Sequence, residues 1–279
     1  MERREFMHAL GAVAAGTLLT RPEMRAPKRL GRVGLELYTV RKEMQSDPER
    51  TMAAVAAMGY TDVELLWSFD NFGRTPEQVA AALKQDGLRA PSAHVPETIL
   101  EGDLAPSLEK AKLLGHQYLI VPSFSGETTR TVDDWLKWAD RFNAAGAKAR
   151  QAGIWFAFHN EPDHMKPIGG VVPYDAFVKR LDPKLVRLQL DVGNMVLGGA
   201  DPVKYLAMYR DWYWSFHLKD VKADRSGDTE LGNGVVDFKT LLAAVPDLEQ
   251  KACYVEQEGP PDALAAARTD FEYLHNLEF

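Results

Sequence analysis

The sequence predicts an α/β protein whose strands close into a (β/α)8 TIM barrel. Three observations lead to this fold class: the chain has 279 residues, short apolar segments alternate with segments of helical periodicity, and polar residues end several of the apolar segments. Barrels of this type take about 250 residues, and regular alternation of strands with helices is typical of a parallel sheet. No G-x-G-x-x-G segment follows the first strand, so a dinucleotide-binding sheet is not expected.

The barrel strands are predicted from short apolar segments that lie between turn residues. These segments are 33–38, 61–66, 88–95, 117–122, 154–160, 186–192, 213–219 and 252–257. Helix starts are predicted where Asp or Thr precedes a proline or an acidic first turn, as these side chains cap a helix N-terminus. They fall at Asp47, Thr75, Thr131, Asp201 and Asp262.

The first 32 residues differ from the rest of the chain. The pair Arg3-Arg4 is followed by a small-apolar stretch over 9–19 and by a linker rich in Pro, Arg and Lys over 22–32. This pattern is similar to a twin-arginine export signal, and the apolar stretch is shorter than the ~20 residues that a membrane-spanning helix needs. An ordinary amphipathic helix is the alternative. We therefore expect an exported, periplasmic protein with a TIM-barrel catalytic domain over 33–279 and no membrane span after processing.

Composition excludes several classes of partner and site. The formal net charge of -7 disfavours a nucleic-acid binder, because neutralising phosphates requires a basic surface. The one cysteine, Cys253, excludes an intramolecular disulfide and a thiolate metal site. We expect a small-molecule partner, and a homo-oligomer remains an open alternative.

Four acidic or imidazole side chains fall at the ends of four successive predicted strands. They are His159, Asp191, His217 and Glu256. The C-terminal ends of barrel strands converge on one rim, so we expect these side chains to meet there. Two imidazoles and two carboxylates suit a divalent metal ion, whereas a single strand-end histidine would more often have a structural role.

Further rim residues are candidates for substrate binding. His94 ends the third strand and Glu64 follows the second, while Lys219 follows His217 by two positions. Structural ion pairing is the alternative for Glu64 and Lys219. Trp67 could stack on a sugar face, or it could be ordinary packing. His116 is expected at the surface, and His164 is expected in a solvated loop, with closure over the site as the alternative.

From residue 33 onward the chain resembles the sugar phosphate isomerase/epimerase superfamily of xylose isomerase-like barrels, including ketose 3-epimerases and inosose dehydratases. The motifs that carry the resemblance are Gly34-Leu-Glu-Leu-Tyr38, Gly59-Tyr-Thr-Asp-Val-Glu64, Phe158-His-Asn160, Asp191-Val-Gly-Asn194, Asp201-Pro202, Phe216-His-Leu-Lys-Asp220, Leu231-Gly-Asn-Gly234 with Asp237, and Val255-Glu-Gln257. These motifs are specific for the superfamily and not for a substrate.

The resemblance implies one divalent metal ion (Mn, Mg, Co or Zn) held by strands five to eight. Asp191, His217 and Glu256 match the last three ligand positions. His159 stands where the family usually has glutamate, and Glu161 is the alternative ligand there. Asn160, beside His159, is expected to contact substrate.

The implied reaction is isomerisation or epimerisation of a keto-sugar or related polyol through an enediolate. Glu256, Glu161 and His159 are the candidate catalytic residues. Because His159 replaces the usual glutamate, a lyase or dehydratase acting on a keto-sugar, keto-glycoside or inosose is the first alternative. A non-catalytic sugar-binding barrel is the second. Asn194 stands where an endonuclease of the superfamily has histidine, which disfavours phosphodiester cleavage.

Overall fold

A computed structural model describes residues 28–279 of the chain. The predicted signal and the first part of the predicted linker therefore lie outside the described residues. Within 28–279, eight parallel strands close into a barrel. The predicted fold class is confirmed. No helix in this range combines the length and the apolar character needed to cross a membrane.

Each predicted strand segment contains one barrel strand, and a short two-stranded hairpin lies between the last two of them. The strands are β1 (Gly34–Glu36), β2 (Asp62–Leu66), β3 (Arg89–His94), β4 (Tyr118–Val121), β5 (Trp155–His159), β6 (Val186–Asp191), β7 (Tyr213–Leu218), the hairpin strands β8 (Asp220–Val221) and β9 (Asp228–Thr229), and β10 (Ala252–Val255). Register pairs such as Asp191 with His217 align neighbouring strand ends.

Helices surround the barrel and connect its strands. They are α1 (Arg41–Ser46), α2 (Pro48–Met58), the single turn α3 (Asp70–Gly73), α4 (Pro76–Asp86), α5 (Ala105–Leu114), α6 (Val132–Gln151), α7 (Pro173–Arg180), α8 (Val192–Leu197), α9 (Pro202–Met208), α10 (Phe238–Ala244) and α11 (Ala263–Asn276). The five predicted N-terminal caps all accept hydrogen bonds from the first turn of their helices. These side chains stabilise N–H groups that have no partner within the helix.

The barrel interior is lined by every second residue of each strand, because side chains alternate between the two faces of a sheet. The outward residues, such as Phe156 and Phe158, are fully buried under the surrounding helices. Inward residues near the N-terminal ends form a separate apolar cluster that contains Tyr118, Ile120 and Ala157. Above this cluster the inward residues are polar, and they form the candidate site.

The loop after β2 contains an unusual turn beside the mouth of the barrel. Asp70, Asn71 and Phe72 have φ values of 50°, 46° and 56°, so three successive non-glycine residues are left-handed. Such a conformation costs roughly 1–2 kcal/mol per residue. The Phe72 ring stacks on Phe69 at 5.6 Å, and this contact holds Phe69 at the barrel mouth.

Candidate metal and catalytic site

The four strand-end residues His159, Asp191, His217 and Glu256 lie together at the C-terminal rim of the barrel. All four are at most 6% exposed. The Nδ1 atom of His217 is 2.8 Å from Glu256 Oε2 and 4.0 Å from Asp191 Oδ2. His159 Nε2 is 3.7 Å from the same oxygen of Asp191. Asp191, His217 and Glu256 therefore direct their donor atoms towards one centre, and His159 adjoins it through Asp191 Oδ2.

Three overlapping groups of side chains within residues 28–279 could hold a metal ion. They are Asp191, His217 and Glu256; His94, His159 and His217; and Glu36, Glu64, His94 and His217. In each group the ligand atoms lie within 4.8 Å of one another. His217 belongs to all three groups, so it is the centre of the cluster.

Glu64 fixes the orientation of the His217 ring. The Nε2 atom of His217 hydrogen-bonds Glu64 Oε2, which leaves Nδ1 directed at Glu256 and Asp191. Burial opposes the charged imidazolium, but the carboxylates of Glu256 and Glu64 outweigh it and raise the pKa of His217 to about 10. A carboxylate behind a metal-binding histidine is the usual device for orienting the ring.

Gln189 connects the other two imidazoles to the same carboxylate. Its side-chain oxygen accepts from His94 Nε2 at 2.8 Å and from His159 Nδ1 at 2.9 Å. Its side-chain nitrogen donates to both Glu64 oxygens at 3.1 Å. Because one carbonyl oxygen accepts from both rings, His94 carries its proton on Nε2 and His159 carries its proton on Nδ1. The Nε2 atom of His159 therefore remains a lone-pair donor that faces Asp191.

Lys219 is a buried cation among the carboxylates of the cluster. Its Nζ lies 3.0 Å from Asp191 Oδ2, 3.1 Å from Glu256 Oε2 and 2.9 Å from Glu258 Oε1. The lysine stem runs over Gly193, where an added Cβ would lie 2.7 Å from Lys219 Cγ. Glycine at this position is therefore what allows the lysine to reach the carboxylates.

Lys219 also influences the ionisation of its partners. Burial would raise the pKa of Glu256, but Lys219 and His217 hold it well below its usual range. For Asp191, burial raises the pKa to about 7 against the opposing effect of Lys219. Asp191 Oδ2 is paired with Lys219 Nζ at 3.0 Å, although no contact from residues 28–279 reaches it in hydrogen-bond geometry. A metal ion at this oxygen would share it with the Lys219 ammonium.

A cavity of about 380 Å³ opens onto the cluster from the rim. His94, His159, Glu161 and Glu256 line it, together with Phe69. The Glu161 side chain is 33% exposed and accepts a hydrogen bond from Asn194 at 3.0 Å. Burial raises the pKa of Glu161 to about 8, opposed by Lys219 and reinforced by Asp191 and Glu256. The cavity therefore holds two carboxyl groups whose pKa values are shifted in opposite directions, that of Glu256 downwards and that of Glu161 upwards.

The structure gives three predicted substrate-binding residues other roles. Glu64 is fully buried and serves the histidines. Asn160 uses its amide to bind the backbone N–H and C=O of Asp191, which ties β5 to β6. The Trp67 ring packs on His116 and under Lys110 of α5. It does not line the cavity that Phe69 lines. Direct contact of these three residues with substrate stays a prediction, and the contacts described here are with protein groups.

Two histidines that were expected at the surface or in a solvated loop are buried. His116 is 3% exposed, and its Nδ1–H donates to the Ala90 carbonyl oxygen at 2.6 Å. His164 is 6% exposed and accepts a hydrogen bond from the backbone N–H of Glu161 at 2.9 Å. His164 therefore holds the backbone of Glu161 at the rim.

Glu36 and Gln189 are part of the cluster but were not predicted. Each is fully buried on the inward face of its strand, and Gln189 lies two residues before Asp191. Neither oxygen of Glu36 has a hydrogen-bond donor within residues 28–279, and burial with the neighbouring Glu64 raises the pKa of Glu36 well above its usual range. The sequence signal of Gln189 is a polar residue inside an apolar strand, on the same face as the strand-end Asp191, and that of Glu36 is a carboxylate at the end of β1.

The fold and this arrangement of side chains define a class of metal-site TIM barrel, and comparison with known proteins identifies the family. A family model described as xylose isomerase-like TIM barrel matches residues 52–277. The chain therefore belongs to the xylose isomerase-like TIM-barrel family. This bears out the superfamily that its motifs resemble.

Curated relatives of the chain are inosose dehydratases. The enzyme from Bacillus cereus strain AH820 is 28% identical over 174 residues, which is 55% of each protein. The enzyme from Lacticaseibacillus casei is 27% identical over 162 residues, covering 51% of this chain and 52% of the relative. The chain thus spans about half the length of the curated relatives that it matches. These similarities indicate an enzyme of the superfamily.

Solved structures share the fold across almost the whole described chain. A sugar phosphate isomerase/epimerase from Parabacteroides distasonis superposes with a TM-score of 0.74 at 22% identity, covering 91% of this chain and 98% of that one. A probable 3-DHS dehydratase from Bacillus anthracis has a TM-score of 0.67 at 16% identity, with coverage of 88% and 99%. The IolI protein with a bound zinc atom has a TM-score of 0.64 at 13% identity, with coverage of 86% and 95%.

Proposed function

We propose that this chain is a metal-dependent lyase that eliminates a β-leaving group from a keto-sugar or related polyol. The curated relatives carry the name inosose dehydratase. They support this alternative better than the isomerase interpretation, which stays a prediction. The observation that carries the proposal is the placement of Glu256 and Glu161 in one cavity without a second carboxylate at the His159 position.

His159, Asp191, His217 and Glu256 would hold the metal ion. Their donor atoms fit, because those of Asp191, His217 and Glu256 lie within 4.8 Å of one another and His159 Nε2 is 3.7 Å from Asp191 Oδ2. When bound, a divalent ion polarises the carbonyl and hydroxyl oxygens of a substrate. This mixed N and O donor set suits Mn, Co or Zn, and Mg less well.

Glu256 is the proposed base and Glu161 the proposed acid. Lys219 and His217 keep Glu256 ionised, so it can remove the proton next to the substrate carbonyl. Glu161 carries a proton at neutral pH and can give it to the departing oxygen. Groups whose surroundings separate their pKa values in this way are typical acid and base partners.

The position of His159 favours elimination over epimerisation. Epimerisation by two carboxylates needs them on opposite faces of the same carbon. Here the ring of His159 takes the place of one carboxylate, and its Nδ1–H is committed to Gln189. Glu161 lies farther out, with Oε1 3.9 Å from His159 Nε2, where a leaving group rather than the reacting carbon would stand.

The test is incubation of an inosose and a 3-keto-glucoside with the Mn-loaded protein in deuterated water. Elimination predicts an unsaturated product by mass spectrometry and NMR. Deuterium incorporation without loss of the leaving group would indicate an isomerase, and binding without exchange would indicate a sugar-binding barrel. Glu256→Gln should abolish turnover, whereas Glu97→Gln, at the outer wall of the same cavity, should keep it.

Export to the periplasm is also proposed. It rests on Arg3-Arg4 and the apolar stretch that follows, which lie outside the described residues. Replacing both arginines by lysine should retain the protein in the cytoplasm when cell fractions are compared by immunoblot. Unchanged distribution of the double variant would count against a twin-arginine signal.

A further inference from the structure

A second cavity of about 550 Å³ adjoins the catalytic cavity. The two cavities share Ser123, in the loop after β4, and Glu161, in the loop after β5. Elimination from a free keto-sugar or polyol does not require this second space. The catalytic cavity alone has about 380 Å³ for a single ring.

The second cavity differs from the first in its chemistry. Its inner walls are apolar, and polar side chains also border it. The apolar residues are Phe124, Trp135, Pro162, Ile168 and Pro173, and the polar ones include Thr129, Asp163 and Lys166, whereas histidines and carboxylates line the reactive end of the first cavity. Polyhydroxylated rings need convergent hydrogen-bonding groups, and apolar or aromatic groups gain from burial against surfaces such as these. The two cavities together match a molecule that is polar at one end and apolar at the other.

One wall of the second cavity is a short arm, a tight turn over residues 168–171. Ile168 and Val171 exchange backbone hydrogen bonds of 2.8 and 3.1 Å across Gly169 and Gly170. Both glycines have positive φ, 59° and 85°, which permits the tight reversal. Val171 is 44% exposed although it is apolar, so the arm extends the apolar surface beyond the cavity.

Glu161 stands at the junction of the two cavities. Its backbone N–H donates to His164, and its Oε2 accepts from Asn194, so both the backbone and the carboxylate are held. A ring bound over His159 and Glu256 would direct a substituent past Glu161 into the second cavity. The departing oxygen would then lie beside the carboxyl group at the border.

We propose that the second cavity is a subsite for an apolar or aromatic group carried on the oxygen that is expelled. The substrate is then a keto-glycoside, and the second cavity binds its aglycone. This inference rests on the proposed lyase function and adds the substrate class. Among pyranosides, the glycosidic oxygen lies β to the carbonyl when the ring is oxidised at carbon 3, so a 3-keto-glycoside is the form that can lose its aglycone by elimination.

This step needs no further reactant to balance its protons and electrons. The base removes the proton at carbon 2, and its C–H electron pair forms the double bond between carbons 1 and 2. The bond from carbon 1 to the glycosidic oxygen breaks with its electron pair. That oxygen takes a proton from the acid and departs as an alcohol or phenol, leaving an unsaturated keto-sugar.

The experiment compares phenyl and methyl 3-keto-β-glucoside as substrates of the Mn-loaded full chain. Burying a phenyl ring predicts a kcat/KM about tenfold or more higher for the phenyl substrate. Gly126→Trp should remove most of this preference, since Gly126 lines the second cavity and a Cβ added there meets no atom within 4 Å. Gly31→Trp is the matched control at another cavity, with equally open space, and should keep the preference.

A second measurement separates the subsite from the reaction. Affinities of the unreactive phenyl and methyl β-glucosides are determined by calorimetry for the parent chain and for both variants. Tighter binding of the phenyl compound, lost in Gly126→Trp alone, supports the subsite. Equal affinities overturn it, even if an inosose is dehydrated. If the phenyl compound binds more tightly but no elimination product forms from either keto-glucoside, the proposed lyase function is wrong and the aglycone subsite is still supported.

Discussion

Exchange of Glu64 for glutamine tests the link between the barrel interior and metal binding. Glu64 accepts from His217 Nε2, from Ser92 and from Gln189, and it lies 3.2 Å from His94 Nε2. Glu64→Gln keeps the shape of the side chain but removes its negative charge. His217 then loses the carboxylate that orients its ring and raises its basicity. Loss of such a partner lowers metal affinity by about 10- to 100-fold, or about 1.4–2.7 kcal/mol.

The assay is competition for Mn²⁺ or Zn²⁺ with a chelator of known affinity, with circular dichroism as a check on folding. Glu49→Gln is the control, because Glu49 is half exposed and pairs with Arg74 far from the rim. We expect weaker metal binding in Glu64→Gln and none of this effect in the control. A folded Glu64→Gln protein with parental metal affinity would refute the role assigned to Glu64.

Three further results are expected. Activity should fall as the pH rises through about 8, because the pKa of Glu161 is raised to about 8 and this acid must be protonated to act. If the pH–rate profile of Glu161→Gln falls over the same alkaline range as that of the parent, Glu161 is not the acid. Burial lowers the pKa of His116 to about 4, below the ~6.5 of an unfolded chain, so this group should destabilise the fold by up to about 3 kcal/mol as the pH falls from 6.5 to 4. Urea unfolding at both pH values should show a smaller acid loss for His116→Gln, and equal losses would be evidence against the buried neutral ring. Gly193→Ala should displace Lys219 and cost about 1–3 kcal/mol of stability along with turnover, measured by thermal unfolding and product formation, whereas full activity would exclude the tight contact.

The fold could be predicted because its signals are local. Asp47 and Thr75 cap helices that follow prolines, and Gly59 and Gly87 end the same helices in left-handed conformations. Each apolar segment between such signals became one barrel strand. The left-handed turn at 70–73 could not be foreseen, since Asp70 and Phe72 adopt it through contacts in the folded loop and not through their own preference.

The rim of the site was predictable, but its interior was not. His159 and Asp191 end their strands, so barrel geometry alone brings them together. Gln189 lies one inward position deeper than Asp191, and Glu36 ends β1; the contacts of both depend on how strands from different parts of the barrel align. For Asn160, the sequence places the residue beside His159 but does not reveal that its amide hydrogen-bonds the backbone of Asp191.

The single amide of Gln189 has a consequence for engineering this barrel. The Gln189 side chain hydrogen-bonds His94, His159 and Glu64. Exchanging any one of these three residues leaves part of the amide without a partner, and we expect the other two hydrogen bonds to shift in response. Effects of paired substitutions around this residue should therefore depart from the sum of the single ones. Engineering of this site therefore requires that these positions are varied together rather than one at a time.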